Sequence, residues 1–175
     1  VFSAFIFFSF SPIQSVYALT FISQPLENSK NYDTSGTPIN SSTQILTLVE
    51  NSNDYGAYIK WDLSALKGYC IDSGTLSLTT HTGPVVNYPL RGYRFLQDWT
   101  IAASGSTYDG ENLWNTSKGR GFGTDISATP LFDVNNAPSS VINIGLNIDE
   151  LRKMVADNKG MNIWDFRHLM QHWCE

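Results

Sequence analysis

The sequence predicts an all-β protein built from antiparallel sheets, with one short helix near the C-terminus. Residues 57–64 alternate strictly between apolar and polar side chains, which is the pattern of a strand with one face on a core and the other in water. Residues 93–99 are aromatic-rich and β-prone, and a turn begins at Trp99-Thr100. Short alternating runs separated by turn-forming residues favour a β-sandwich.

The composition fits one turn-rich β domain. The chain has 175 residues, which is enough to bury a core. Charged residues make up 15% and aromatic residues 13%, which favours neutral polar ligands and argues against a coiled coil or a disordered acidic chain. The net charge is −5 and the basic residues are scattered, so nucleic acid is not an expected partner.

The N-terminus has the pattern of an export signal. Residues 1–10 are apolar and aromatic but too few to span a bilayer. Val16-Tyr17-Ala18 matches the small-x-Ala pattern of a signal-peptide cleavage site. We therefore predict an N-terminally truncated signal peptide over residues 1–18, no membrane span, and a secreted or cell-surface protein. The alternative is that residues 1–10 form a buried first strand.

The first half of the chain contains five predicted strands. They are residues 19–22, 45–49, 55–63, 74–80 and 85–96. Residues 28–43 are rich in Asn, Ser, Thr, Gly and Pro and are predicted as a loop. The polar turn at residues 51–54 predicts a hairpin between the second and third strands. Pro89 is expected to interrupt the fifth strand.

The second half opens with the longest irregular stretch, residues 100–129, and such loops are often functional or mobile. Strands are predicted at residues 131–134, 141–146 and 161–166. An apolar stripe predicts a helix over residues 149–157, with Gly160 ending it. Residues 167–175 match no predicted element and are treated as a tail of doubtful origin.

Several short motifs, taken in order, resemble the disaggregatase-related (DNRLRE) domain. They are Tyr58-Ile59-Lys60-Trp61-Asp62-Leu63-Ser64, Ile71-Asp72-Ser73-Gly74-Thr75-Leu76-Ser77-Leu78, Tyr93-Arg94-Phe95 with Trp99-Thr100, Asn112-Leu113-Trp114-Asn115, and the strand, helix and strand beginning at Phe132-Asp133-Val134. The family usually has Phe where Trp61 stands, and the loop before Trp114 is longer here. The resemblance runs from about Ile45 to Phe166 and implies a jelly-roll-like β-sandwich, of a kind found in exported prokaryotic surface proteins and beside polysaccharide-degrading enzymes. The sandwich domain is predicted over residues 19–166. Related modules are classed as carbohydrate-binding.

The long loop holds the candidate sugar-binding residues. Aromatic faces pack on the C–H groups of sugar rings, and planar polar groups add hydrogen bonds. The predicted carbohydrate-binding residues are Tyr108, Trp114, Asn112, Asn115 and Arg94, with Phe122, Asp109 and Arg91 nearby. The arginines could clamp an acidic sugar. The alternatives are that the aromatic rings close the end of the sandwich and that the arginines form salt bridges. Trp61 and Trp99 are predicted core residues.

Metal and catalytic signals are weak. The candidate oxygen ligands for a structural calcium ion are Asp33, Asp54, Asp62 and Asn53, but their spacing matches no calcium loop. His168 and His172 have helical metal-ligand spacing without the glutamate of a zinc protease. Gly105-Ser106 lacks the pattern of a nucleophile elbow. Cys70 and Cys174 allow at most one disulfide, and the simpler interpretation leaves them unpaired.

The sequence therefore predicts an exported, non-catalytic module that binds polysaccharide, needs no cofactor, and belongs to a larger surface or polysaccharide-degrading protein. One alternative is a structural or adhesive spacer of the cell envelope. The other is a fragment of a polysaccharide hydrolase or lyase.

Overall fold

A computed structural model describes residues 30–32, 38–39, 49–50, 53–54, 56–79, 88–137 and 141–165 of the chain. The strands are β1 Lys30–Tyr32, β2 Pro38–Ile39, β3 Val49–Glu50, β4 Asn53–Asp54, β5 Gly56–Ile59, β6 Thr75–Thr79, β7 Tyr88–Arg94, β8 Phe132–Ala137, β9 Val141–Gly145 and β10 Met161–Asp165. The helix α1 spans Ile148–Asp157, and 3₁₀ turns occupy Ser64–Leu66 and Ser117–Gly119. Over these residues the protein is all-β with one short α-helix, as predicted.

Six strands form one antiparallel sheet, which we call the main sheet, in the order β2-β1-β5-β10-β7-β8. Two further antiparallel pairs, β3-β4 and β6-β9, complete the described strands. The jelly-roll arrangement stays a prediction.

One face of the main sheet packs against α1 and the β6-β9 pair, and we call this the helix-side core. Its members include Ala57, Ile59, Leu90 and Ile163 from the main sheet, Leu151, Met154 and Val155 from α1, and Leu76 and Ile144 from the pair. Trp61 and Leu63 follow β5 into the same core, which confirms the core prediction for Trp61. The apolar stripe of α1 therefore faces the sheet, as its periodicity predicts.

The opposite face of the main sheet is also buried, and we call the cluster there the loop-side core. Its members are Tyr58, Tyr93, Phe95, Trp99, Ala103, Trp114, Ile126 and Trp164. The prediction that Tyr58 faces water is wrong, because its side chain is only 1% exposed. Alternating side chains of β5 point into two different cores. The core prediction for Trp99 is confirmed, and its indole N–H donates to the carbonyl oxygen of Lys159 at 2.7 Å.

Elements with a strong local pattern lie close to their predicted positions. These are β6, β7, β9, β10 and α1. The predicted interruption at Pro89 appears as a register shift between Tyr88 and Leu90 where β7 pairs with β8. The helix ends at Asp157, as predicted, and begins one residue earlier than predicted, at Ile148. Asn158 takes the left-handed conformation directly after it, and its N–H donates to the carbonyl oxygen of Met154.

Three predictions in the first half are wrong. The predicted loop at residues 28–43 contains β1 and β2, which pair with each other, while β1 also pairs with β5. The predicted turn at residues 51–54 contains β4, which pairs with β3, so the hairpin does not involve β5. Strand β5 ends at Ile59 rather than at Leu63. The predicted signal peptide, the strand at 19–22 and the tail at 167–175 lie outside the described residues.

Gly160 marks a close approach between the start of β10 and the end of β5. Its φ is +78°, and a Cβ built on it would lie 2.3 Å from the carbonyl oxygen of Ile59. Gly123 has a similar φ of +75°, but a Cβ there would meet no described atom within 4 Å. An alanine at position 123 would therefore meet only the unfavourable backbone conformation, whereas an alanine at position 160 would meet that conformation and a steric clash.

We expect Gly160→Ala to lower the free energy of unfolding by about 2–4 kcal/mol, because left-handed strain and a backbone clash add together. Gly123→Ala should lower the free energy of unfolding by only about 1 kcal/mol, because it causes the left-handed strain without the clash. Urea denaturation of the two variants and the wild type measures both values. Equal losses in the two variants would contradict the close approach.

Candidate functional site

Residues 96–126 lie across the loop-side face of the main sheet, and we call them the covering loop. Regular pairing within the covering loop is sparse. Isolated bridges join Thr107 to Leu113 and Ile126 to both Phe95 and Phe122. A buried segment with few ladder hydrogen bonds must satisfy its backbone groups in other ways. Backbone hydrogen bonds between turns do part of this, such as Tyr108 N–H to the carbonyl oxygen of Asn112 and Trp114 N–H to that of Ser106, and side chains of the covering loop and of the sheet add further bonds.

Asp125 holds the central turn of the covering loop. Its carboxylate is 0% exposed and accepts hydrogen bonds from the backbone and side-chain nitrogens of Asn115 at 2.9 and 3.1 Å. It also accepts from the backbone N–H groups of Thr116 at 2.8 Å and Gly121 at 3.1 Å. A Cβ at Gly121 would lie 2.7 Å from the same carboxylate, so only glycine fits this approach. The buried charge is therefore compensated by four donors.

Asn162 of β10 connects the covering loop to the sheet. It is 0% exposed, and its amide nitrogen donates to the carbonyl oxygens of Lys118 at 3.0 Å and Gly119 at 3.2 Å. Both acceptor residues have left-handed backbone, with φ of 64° and 60°. Two consecutive left-handed residues, one of them not glycine, are costly, and the side chain from the sheet stabilises that turn.

Trp114 lies inside the loop-side core and not on the surface. Its ring is 5% exposed and stacks on Phe95 with centroids 5.2 Å apart, while Gly119 packs against it so closely that a Cβ would lie 3.0 Å away. Its indole N–H donates to the carbonyl oxygen of Ser104 at 2.8 Å. This burial corrects the predicted role in sugar stacking and favours the alternative, in which the ring closes the aromatic core. Tyr108 is half-buried and tilted against Trp114 at 5.6 Å.

Asn112 and Asn115 are exposed, but their side chains hold turns. The Asn112 amide donates to the carboxylate of Asp109 at 2.7 Å, and the Asn115 amide donates to Asp125. The Asn112 side chain, with the backbone N–H groups of Asn112 and Glu111, lowers the pKa of Asp109. The two asparagines therefore shape the surface beside Tyr108.

Arg94 is not part of a site on the covering loop, which corrects its predicted role. It points to the helix side of the sheet, is 9% exposed, and pairs with Glu150 and Asp157 of α1. The reason is strand alternation, since residues three apart on a strand face opposite ways. Arg91 accordingly lies on the loop side, where it pairs with Asp133 at 2.8 Å.

The pairing around Glu150 affects its ionisation. Burial raises the pKa of Glu150, but hydrogen bonds from Lys153 and Ser127 and the charge of Arg94 outweigh burial and lower the pKa overall. The folded state therefore holds Glu150 in its charged form. This carboxylate links α1 to β7 through Arg94 and helps to stabilise the folded domain.

Four side chains of the loop side, Arg120, Trp164, Tyr93 and Phe122, contact one another in a row that we call the aromatic strip. Trp164 and Tyr93 are buried, Arg120 is partly buried, and Phe122 is exposed. The guanidinium of Arg120 lies over the Trp164 ring at 4.8 Å, and Tyr93 stacks on Trp164 at 5.1 Å. Phe122 meets Tyr93 edge-on at 5.2 Å and is 49% exposed. Burial raises the pKa of Tyr93 against the opposing charge of Arg91, so its phenol stays protonated at neutral pH.

The sequence places Phe122 in the predicted binding loop but does not single out Arg120. The available signal is the alternation of glycine with larger residues in Gly119-Arg120-Gly121-Phe122-Gly123. Glycines at alternate positions permit a tight path that presents the two side chains between them. No local sequence pattern identifies Asp125 or Asn162. The donors to Asp125 lie 4 to 10 residues away in an irregular segment, and the acceptors of Asn162 lie 43 and 44 residues away.

Of the four candidate calcium ligands, only Asp62 has a described side chain. The Asp62 carboxylate accepts a hydrogen bond from the backbone N–H of Ser64 at 3.0 Å, and the side chains of Asp33, Asn53 and Asp54 lie outside the described residues. Among the described residues, no group of three His, Cys, Asp or Glu side chains could hold a metal ion. Cys70 is exposed. His168, His172 and Cys174 lie outside the described residues.

No helix in the described part of the chain combines the length and apolarity needed to cross a bilayer. No protein-family model and no curated protein sequence matches this chain. The resemblance to the disaggregatase-related domain therefore stays a prediction.

We expect Asp125→Ala to lower the free energy of unfolding by about 3 kcal/mol or more, because several buried donors lose their acceptor together. Hydrogen exchange at the amides of Asn115, Thr116 and Gly121 should accelerate in parallel. Asp109→Ala is the matched control, since it also removes a carboxylate that accepts backbone N–H groups, but at a partly exposed position. A loss in Asp125→Ala as small as that of the control would contradict the role assigned to Asp125.

We expect Glu150→Gln to be less stable than the wild type at neutral pH, with a difference that shrinks in acid. A lowered carboxyl pKa contributes stability above its unfolded value of about 4.3 and loses it as the pH falls through the folded value. Urea denaturation across this pH range measures the difference. Glu111→Gln, which neutralises an exposed glutamate of the covering loop, serves as control. A wild-type advantage over Glu150→Gln that persists unchanged into acid would refute this linkage.

Proposed function

We propose that this chain is an exported, non-catalytic module that binds polysaccharide through the aromatic strip. The observation that carries the proposal is the half-exposed ring of Phe122 on a loop that is held in place by buried polar contacts. An aromatic ring offers apolar area to the C–H groups of a sugar, and the surrounding polar groups can bond its hydroxyls.

The rigidity of the covering loop supports this proposal. Phe122 bridges to Ile126, and the N–H of Gly123 donates to the carbonyl oxygen of Ile126 at 2.7 Å. Beneath it, Tyr93 and Trp164 form a buried aromatic base. A ring that is already fixed loses little conformational entropy on binding, which favours measurable affinity from a small contact area.

The composition supports a polar sugar ligand, and the sequence pattern at the N-terminus supports export. The chain is poor in charge and rich in Asn, Ser, Thr and Gly, and its first 18 residues have the pattern of an export signal. The resemblance to the disaggregatase-related domain points the same way. A structural spacer of the cell envelope remains the competing function, and it requires no affinity for sugars.

We expect Phe122→Ala to weaken binding about tenfold or more while the domain stays folded, because the exposed ring contributes contact area and little core packing. The measurement is a pull-down on insoluble cellulose, chitin and starch, with affinity electrophoresis in alginate and polygalacturonate, each in EDTA and in calcium. Near-ultraviolet circular dichroism reports the integrity of the aromatic core.

Leu113→Ala is the matched control. Leu113 lies on the same covering loop and is 72% exposed, but it does not belong to the aromatic strip. Its variant should bind like the wild type. Equal binding by Phe122→Ala and the wild type would remove the site from the aromatic strip. A folded wild-type chain that binds no polysaccharide would favour the spacer.

A further inference from the structure

We propose that the ligand bound at Phe122 is a neutral polysaccharide, and that the side-chain hydroxyls of Thr116 and Thr124 bond its hydroxyls while a sugar ring packs on Phe122. This inference rests on the function proposed above and specifies the chemical class of its ligand. It replaces the expectation that arginines bind an acidic sugar.

The exposed residues around Phe122 carry no charge. Residues 112–124 contain two charged side chains, Lys118 and Arg120. Lys118 is only 9% exposed, Arg120 is partly buried with its guanidinium over the Trp164 ring, and both have interactions within the protein. The exposed residues of this stretch are all neutral, and they are Asn112, Leu113, Asn115, Thr116, Ser117, Phe122, Gly123 and Thr124. This surface therefore offers apolar area and uncharged hydrogen-bonding groups.

Charged side chains elsewhere on the domain also favour an uncharged ligand. Arg94 pairs with α1 on the helix side of the sheet, and Arg91 pairs with Asp133 at 2.8 Å. The covering loop has exposed carboxylates at Asp98 and Glu111. With a net charge of −5 on the whole chain, these carboxylates repel a polyanion, whereas a neutral polymer meets no such repulsion.

Two hydroxyl groups lie beside the glycine that precedes Phe122. The hydroxyl oxygens of Thr116 and Thr124 both lie within 3.0 Å of the position that a Cβ at Gly121 would occupy. Both threonines are exposed, and within the described part of the chain neither hydroxyl is hydrogen-bonded. A hydroxyl group both donates and accepts hydrogen bonds, as the hydroxyls of a sugar do, whereas a carboxylate only accepts them. The two threonines therefore match the hydroxyls of a neutral sugar.

The turn of residues 121–124 holds Thr124 close to Phe122. The carbonyl oxygen of Gly121 accepts hydrogen bonds from the N–H groups of Thr124 at 3.2 Å and Asp125 at 2.8 Å, and its N–H donates to the buried Asp125 carboxylate at 3.1 Å. The Cα atoms of Phe122 and Thr124 are two residues apart and therefore separated by about 7 Å or less. A sugar that packs on Phe122 is thus within reach of the Thr124 hydroxyl.

The test compares hydroxyethylcellulose, which is neutral, with carboxymethylcellulose, which has the same backbone and is anionic. Methyl-esterified and unesterified polygalacturonate form a second matched pair, and galactomannan and soluble starch add further neutral backbones. Isothermal titration calorimetry in EDTA, at low and at high salt, measures the affinity of the wild type, Thr116→Val, Thr124→Val and Thr75→Val. Thr75 lies exposed on β6, which packs on the helix side of the sheet, so its variant removes a hydroxyl from a different surface.

We expect the wild type to bind at least one neutral polymer more tightly than either anionic polymer, and to keep that affinity as salt rises. Thr116→Val and Thr124→Val should each weaken binding about threefold to tenfold, since a hydrogen bond between neutral groups is lost. Thr75→Val should bind like the wild type. Near-ultraviolet circular dichroism checks the fold of each variant. The comparison of matched polymers uses the wild type alone, so it tests the ligand class even if a variant fails to fold.

Three results would overturn the inference, and they differ in what they leave standing. Binding to the anionic polymers at least as tightly as to the neutral ones, with an affinity that falls as salt rises, would exclude a neutral ligand while keeping polysaccharide binding. Unchanged affinity in both folded variants, Thr116→Val and Thr124→Val, would remove the two hydroxyls from the site. A folded wild-type chain that binds no polymer would reject both the inference and the proposed function.

Discussion

The position of Tyr58 is the packing constraint on which the covering loop depends. Its ring lies 5.2 to 5.7 Å from those of Phe95, Trp99 and Trp114, and its hydroxyl donates to the carbonyl oxygen of Ser104 at 3.3 Å. A large side chain on the face of β5 away from the helix must be covered to be stable. The covering loop covers this side chain, and its own apolar residues, Trp99, Ala103, Trp114 and Ile126, are buried against the sheet.

Two buried polar side chains make this arrangement specific. An apolar face alone would tolerate many paths of the covering loop, whereas Asp125 and Asn162 require particular backbone groups at particular places. A path that left either group without its partners would bury an unsatisfied polar atom or charge. These buried contacts fix the geometry of the exposed surface of the covering loop, including the position of Phe122.

The two faces of the main sheet have different roles. The helix side is closed by α1, and its arginine, Arg94, is used within the fold by Glu150 and Asp157. The loop side carries the half-exposed Phe122 and the partly buried Arg120 above a buried aromatic layer. Strand alternation therefore separates Arg94, which stabilises the domain, from the surface where we propose that sugars bind.

By itself the sequence determined the fold class and the elements with strong local patterns. The alternation of β6 and β9 and the apolar stripe of α1 suffice for this, because side-chain periodicity and helix ends depend on near neighbours. The same reasoning placed Phe122 in the long glycine-rich loop, beside the residues predicted to bind sugar, but did not include it among them.

Only the tertiary structure decided which aromatic residues are buried and on which face of the main sheet Arg94 lies. Trp114 and Phe122 both occur in the same loop, yet one is 5% and the other 49% exposed, because Phe95 and Gly119 pack against the first. Likewise, β1 pairs with β5 across 24 to 28 residues of sequence. Side-chain exposure and strand pairing depend on contacts between segments that are distant in sequence. A local sequence pattern does not indicate which distant segment makes those contacts.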